Sequence, residues 1–324
     1  MEYRVSVIIP NYNGMDFFRP CLTSVMAQTR PADRVIVVDN GSVDGSADAI
    51  EHEFPSVELI RFAENSGFCG AVNAGIKASG DCDYVILLNN DTEADPHFVE
   101  ELLKGIAGKE KVFSCQAKML KMSDPSLCDD AGDYYCSLGW AFARGRGKPE
   151  SLYNKPAALF SSCAGAAIYS MKILNEIGIF DENHFAYLED TDIGWRARIN
   201  GYRNIFLPRA RVLHVGSAST GSVYNDFKVK NTSRNSIYLI YKNMPTPQII
   251  LNLPLFIPGF LIKAAFFTLK GFGKEYIGGI RKGFALCRKG REEGRKISYN
   301  KKNFWNYAHI QVELWVNCLR RLHN

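Results

Sequence analysis

Val85-Ile86-Leu87-Leu88-Asn89-Asn90-Asp91-Thr92 is an apolar run of strand length that stops at three polar side chains, the last a carboxylate. A strand buried on both faces reads as such a continuous run, and its end would carry Asp91 to the edge of a sheet. Oxygen ligands suit Mg²⁺ or Mn²⁺, and phosphate oxygens complete such a shell. Asn-Asn-Asp is also ordinary turn chemistry, so the run by itself leaves a cation site and a plain turn both open.

The same pattern recurs upstream. Residues 5–9 are apolar, and residues 16–28 follow with Phe17, Phe18, Cys21, Leu22, Val25 and Met26 at helical spacing. Residues 35–38 end in Asp39-Asn40-Gly41-Ser42, with a helix predicted near 43–52. Residues 57–62 precede a Gly- and Ala-rich helix near 71–78. Beyond Asp91, Asp95-Pro96 reads as the cap and first residue of a helix reaching about Ile106. Strands alternating with helices predict an α/β fold, a mostly parallel sheet flanked by helices. Ligands of such sheets sit beyond the carboxyl ends of the strands, where Asn11, Asp39 and Asp91 all stand.

Residues 122–160 break the rhythm with Gly, Pro, Tyr and short basic stretches, and read as an active-site flap or an exposed insertion. A small-residue strand is predicted over 163–169, then a helix over Met171–Ile177 ended by Gly178. Glu189-Asp190-Thr191-Asp192 puts three carboxylates in four residues at the start of a helix carrying Trp195. Helix N-terminal charge placement is worth under about 1 kcal/mol each and does not require three acids.

Residues 248–269 are apolar over nearly the length of a membrane span, about 20 residues. Asn252, Pro254, Pro258, Gly259 and Lys263 argue against a simple spanning helix and for an interfacial element. A helix packed on the preceding domain is the other reading. From Lys270 onward thirteen Lys/Arg face four Asp/Glu, a local +9, which leaves the rest of the chain at −4 within a formal +5. A basic tail suits an anionic membrane surface or nucleic acid, and no nucleic-acid motif accompanies it. The domain division expected is therefore 1–245 and 246–324. Nine scattered cysteines, with no C-x-x-C pair, suggest reduced thiols, and the immediate entry into a strand suggests no signal peptide. A cytoplasmic protein, peripheral on the inner membrane face, is expected.

Taken together, Val7-Ile8-Ile9-Pro10-Asn11-Tyr12-Asn13-Gly14, Val37-Val38-Asp39-Asn40-Gly41-Ser42, Glu64-Asn65-Ser66-Gly67-Phe68, Asn73-Ala74-Gly75, Leu88–Thr92, Glu189–Asp192 and Asn231-Thr232-Ser233-Arg234-Asn235 resemble the inverting family 2 glycosyltransferases of GT-A fold. The likeness is greatest to bacterial rhamnosyltransferases of cell-surface polysaccharide synthesis, and it covers about the first 245 residues. It implies an inverting hexosyltransferase of GT-A fold, and the apolar and basic residues that follow are read as a C-terminal helical, membrane-associating extension of it.

The resemblance also implies roles. Pro10, Asn11, Tyr12, Asp39, Asn65, Gly67 and Asn73 would bind the nucleotide, with Asp39 accepting N3–H of uracil or thymine. Asn89, Asn90 and Arg234 would meet the donor's sugar and phosphates. Asp91 and His214 would hold Mn²⁺ or Mg²⁺, although Asn at positions 89 and 90 departs from the Asp-x-Asp form. Asp190 would be the general base, with Glu189 and Asp192 as rivals, and Trp195 an acceptor platform. The expected reaction moves a sugar, L-rhamnose from dTDP-rhamnose first, onto a lipid-linked or growing glycan. UDP-linked galactofuranose, glucose or N-acetylglucosamine is the alternative donor, and a catalytically silent glycan-binding subunit the alternative class. Homo-oligomerisation stays open.

Overall fold

In the computed structural model, which describes residues 3–216 and 224–323, the four aliphatic runs form parallel strands. They are β1 (Val5–Asn11), β2 (Arg34–Asp39), β3 (Glu58–Arg61) and β4 (Tyr84–Leu88), in the order β3-β2-β1-β4. Every residue of β4 is buried, because helices cover both faces of the sheet. The crossovers are α1 (Phe18–Met26), α2 (Ser46–Glu53) and α3 (Gly67–Ala78).

The chain then adds β5 (Thr92–Ala94), α4 (Phe98–Ile106), β6 (Val112–Lys121), β7 (Asp124–Asp130), β8 (Asp133–Cys136), β9 (Trp140–Ala143), β10 (Ala157–Leu159) and β11 (Ala166–Ser170). The full sheet has ten strands in the order β10-β12-β6-β11-β4-β1-β2-β3, with β5 on β12 (Arg203–His214) and β7 on β6. Strand β11 runs antiparallel between β4 and β6, so the sheet is parallel in its first half and mixed in its second. The expected α/β class is present.

Two expectations change. The helix placed from Asp95 starts at Phe98: Asp95 instead builds a turn, its side chain accepting the His97 N–H at 3.0 Å and its carbonyl the Phe98 N–H at 2.9 Å. Residues 122–160 are not a plain insertion but four short strands. Their Asp, Gly and Tyr content hides the alternation that longer aliphatic strands display.

After α5 (Met171–Ile177) and α6 (Glu189–Ile199), four long helices follow: α7 (Asp226–Asn243), α8 (Thr246–Leu269), α9 (Gly273–Glu292) and α10 (Phe304–His323). Helix α8 runs unbroken through Pro254 and Pro258, both on its outer side, where the lost backbone bonds cost least. Its buried stripe is Gln248, Asn252, Phe256 and Gly259. Asn252 and Gln311 exchange two side-chain hydrogen bonds of 2.8 and 2.9 Å, tying α8 to α10. A Cβ at Gly259 would lie 2.2 Å from the Leu138 carbonyl oxygen, so only glycine admits the β8–β9 turn there. The last helices share a core with the preceding domain: Tyr307, Ile310 and Leu314 pack in one cluster with Trp195, Tyr135 and Phe160. None of the nine cysteines is in a disulfide.

Candidate active site

A cleft of about 960 Å³ opens at the carboxyl ends of β1 and β4. Its floor is an amide network. Asn11 Nδ2 donates to Asp39 Oδ1 at 2.8 Å and Ser46 Oγ at 2.9 Å, while Asn90 Nδ2 donates to Asn11 Oδ1 at 2.8 Å. Gly14 permits this, since a Cβ there would lie 2.2 Å from both Asn11 Oδ1 and Asn90 Nδ2. Pro10, Asn11 and Tyr12 line the cleft together with Asn65 and Gly67. Asn40, which sequence reasoning did not single out, organises that wall: its amide binds Asn65 Oδ1 and the Gly67 carbonyl and accepts the Ser66 N–H. Asp39 is buried, and its two oxygens accept from Asn11 Nδ2 and the Ser42 N–H. Each oxygen keeps a lone pair, but Asp39 lies beneath the residues that line the cleft and is not itself one of them.

Asp91 and His214 meet at the next wall. Antiparallel pairing of β12 with β5 sets His214 opposite Thr92, and His214 Nε2 lies 3.3 Å from Asp91 Oδ1. His214 Nδ1 is 2.7 Å from Asp129 Oδ2. Burial pulls the imidazole pKa down, but the two carboxylates outweigh it and raise it to about 9. Once its Nε2 proton is given up, the imidazole and the adjacent Asp91 carboxylate, with the second ring nitrogen held by Asp129, offer the donor set of a divalent cation site. The residues fit the expected metal.

A second acidic group lines the same cleft. Asp190, Glu189, Asp133 and Asp130 all line the cleft. Asp190 Oδ1 accepts the Thr191 N–H at 2.6 Å and also hydrogen-bonds with Asp133. Burial raises both carboxyls, Asp133 the further of the two, and they share a hydrogen bond. Burial lifts Asp130 to about 6 and Glu189 to about 8. Glu189 Oε2 is buried without a partner. Asp129, Asp130 and Asp133 were missed by the sequence reading, although three carboxylates in five residues was a signal available in that segment.

Four expected site residues belong elsewhere. Trp195 is fully buried, with Phe160 and Tyr135 ring centroids 5.1 Å away, so it is core and not an acceptor platform. Asp192 is no base: it is fully buried, and although burial would raise its pKa, Lys242 and Arg196 hold it well below the usual range. Asn73 clamps Phe180 through its carbonyl and N–H at 2.9 and 3.1 Å, away from the cleft wall. Arg234 binds the His184 carbonyl at 2.6 Å and does not line the cleft, so it is not a phosphate ligand in this arrangement.

Residues 6–178, more than half of the chain, match the model of the family described as glycosyl transferase family 2. The N-acetylglucosaminyl-diphospho-decaprenol L-rhamnosyltransferase of Mycobacterium tuberculosis is 27% identical over 240 residues, 66% of this chain and 77% of that protein. Among solved structures, S. aureus TarS 1-349 with UDP-GlcNAc superposes at TM-score 0.58 with 17% identity, covering 96% of this chain and 89% of that one. The mannosyltransferase PcManGT from Pyrobaculum calidifontis, solved with GDP-Man and Mn²⁺, superposes at 0.56 with 16% identity, covering 97% and 85%. At these identities the two structures speak to the fold alone, which is GT-A.

Proposed function

Because this chain belongs to glycosyl transferase family 2, we propose that it inverts a nucleoside-diphosphate sugar onto a hydroxyl of a lipid-linked glycan, with L-rhamnose from dTDP-rhamnose the first donor to test. One observation carries the reading: a cation-type donor set, Asp91 with His214, and a half-buried carboxylate, Asp190, line a single cleft at the strand ends. The M. tuberculosis relative, by its name a rhamnosyltransferase acting on a diphospholipid, supports the sugar and the acceptor class.

The chain's own groups divide the work. Pro10, Asn11, Tyr12 and Asn65 flank the nucleotide, and Asp39 accepts its ring N3–H. Asn89 faces the donor sugar, while Asn90 holds Asn11 in place. Asp190 takes the proton of the acceptor hydroxyl as its oxygen bonds to the anomeric carbon; the bond from that carbon to the diphosphate breaks, and the electron pair leaves with the diphosphate. Asp133, hydrogen-bonded to Asp190, holds it in line. Asp91 and His214 would hold a divalent cation, which would supply charge compensation to the leaving diphosphate.

A thermal-shift screen in Mn²⁺ tests the donor side, since a ligand that binds only the folded state stabilises it. UDP and dTDP should raise the melting temperature and CDP should not. Cytosine offers Asp39 no N3–H, and losing that buried hydrogen bond costs about 1–3 kcal/mol. Equal shifts with CDP would refute the Asp39 role, and no shift with any sugar nucleotide would refute the donor class.

The extension, which we take as residues 246–324, is read as a peripheral anchor on an anionic bilayer. Helix α8 is long and apolar enough to cross a membrane by length and composition, but only 17% of its apolar window is buried. Its outer face shows Ile250, Leu251, Leu253, Ile257, Leu261 and Ile262, while its polar Gln248 and Asn252 point inward. Basic residues from Lys270 onward add about 1 kcal/mol each near an anionic surface. Leu251→Glu with Ile257→Glu and Leu261→Glu in the full chain should abolish sedimentation with anionic vesicles. Melting should change little, because all three side chains are exposed. Retained vesicle binding would make α8 a packing or oligomerisation element.

A further inference from the structure

Among the described residues, four that are not glycine have positive φ, and three of them, Phe185 (63°), Tyr187 (71°) and Leu188 (66°), immediately precede Glu189 and Asp190. Phe185, with ψ −64°, centres a strained three-residue turn in which the Ala186 N–H meets the His184 carbonyl at 2.7 Å. Leu188, with ψ 4°, is left-handed. Side chains with a Cβ keep such conformations only where the surroundings impose them.

The restraint comes from α7. Asn235 Nδ2 donates to three carbonyls of this loop: His184 at 2.9 Å, Ala186 at 2.9 Å and Tyr187 at 2.7 Å. Its Oδ1 is fixed by Arg234 Nε at 2.8 Å, and Arg234 Nη2 adds a second bond to the His184 carbonyl. Asn235 is fully buried, and its helix is tied to α6 where Lys242 and Asn243 bind Asp192 at 2.8 Å each. The loop touches the nucleotide wall as well. The Phe185 carbonyl accepts the Cys69 N–H, and a Cβ at Gly67 would lie 2.6 Å from the Phe185 ring.

We propose that Asn235 is a positioning residue for the transfer step, its one amide imposing on residues 184–188 the strained path that presents Asp190 to the acceptor hydroxyl. It lines no part of the cleft and touches no reacting atom. An amide suits the task because two N–H groups in a fixed plane set the directions of several carbonyls, which a hydroxyl or an aliphatic side chain cannot do. This rests on Asp190 being the base.

The test uses the full chain with Asn235→Ala, Leu188→Gly, the double variant, and Asp190→Asn alongside. Hydrogen exchange over residues 184–192, UDP and dTDP binding by calorimetry, and transfer from dTDP-rhamnose or UDP-N-acetylglucosamine to a bacterial lipid-linked glycan extract are measured. Asn235→Ala should speed exchange in that segment, lower kcat by about 10–100-fold and leave nucleotide affinity within about threefold. Leu188→Gly should restore part of kcat in the double variant, because glycine adopts positive φ without strain. A cavity effect would not be rescued in this way. Unchanged exchange overturns the proposal. So does a loss of kcat matched by an equal loss of nucleotide affinity with no rescue. Should Asp190→Asn transfer normally, the base assignment has failed; should it be inactive while Asn235→Ala is normal, only the positioning role has.

Discussion

Asp190→Asn should lower sugar transfer by about 10²-fold or more while nucleotide binding survives. The change keeps the shape of the side chain and one acceptor oxygen for the Thr191 N–H, so the α6 N-terminus has no reason to move. What disappears is the charge that receives the acceptor proton. Glu189→Gln should cost far less. Burial raises the Glu189 pKa to about 8, which favours its neutral form over a basic one near pH 7. The pH profile carries a second check. Burial raises the Asp190 pKa, so its charged form is lost as pH falls through a value above the usual aspartate range. Transfer should therefore fall away on the acid side at a higher pH than a solvated aspartate would give. If Asp190→Asn and Glu189→Gln are both silent, the base lies elsewhere in the cleft.

Chelation should be as damaging. Activity should vanish in EDTA, return with Mn²⁺ or Mg²⁺, and be absent in Asp91→Ala at any metal concentration. The reason is charge. Positions 89 and 90 are amides, so Asp91 is the one carboxylate this strand end offers the cation, with His214 beside it. Without the cation, the departing diphosphate loses its divalent charge compensation. His214→Ala should weaken metal affinity but leave Asp91 in place. Asp129→Asn should act more mildly, since Asp129 touches the imidazole and not the cation site itself. Full turnover in EDTA would remove Asp91 and His214 from the mechanism.

The positions of the expected site residues show which signals a sequence transmits. Asn11 and Asp91 were legible because a buried parallel strand is a continuous aliphatic run, and a polar residue that ends it must stand at the sheet edge. Asp190 was legible because three acids in four residues exceed what a helix start needs. Within that trio the sequence could not choose. Only the packing shows Asp192 sealed between Lys242 and Arg196 while Asp190 faces the cleft. Trp195 misled for the same reason: helical spacing marks a face without saying what covers it, and here α10 does.

Sequence alone determined the α/β class, the strand ends that carry the site and the apolar stretch ahead of the basic tail, because each is written in local periodicity and composition. Tertiary structure alone decided the rest. It brought Asp129, Asp130 and Asp133 from short, weakly patterned strands to the lining of the cleft, and paired Asp133 with Asp190 across 57 residues of chain. It set His214 against Asp91 through the antiparallel register of β12 and β5. It turned the polar side of α8 inward and its aliphatic side out. Contacts between residues distant in sequence depend on strand register and helix packing, and these are settled by the whole buried surface at once, with no local pattern to announce them.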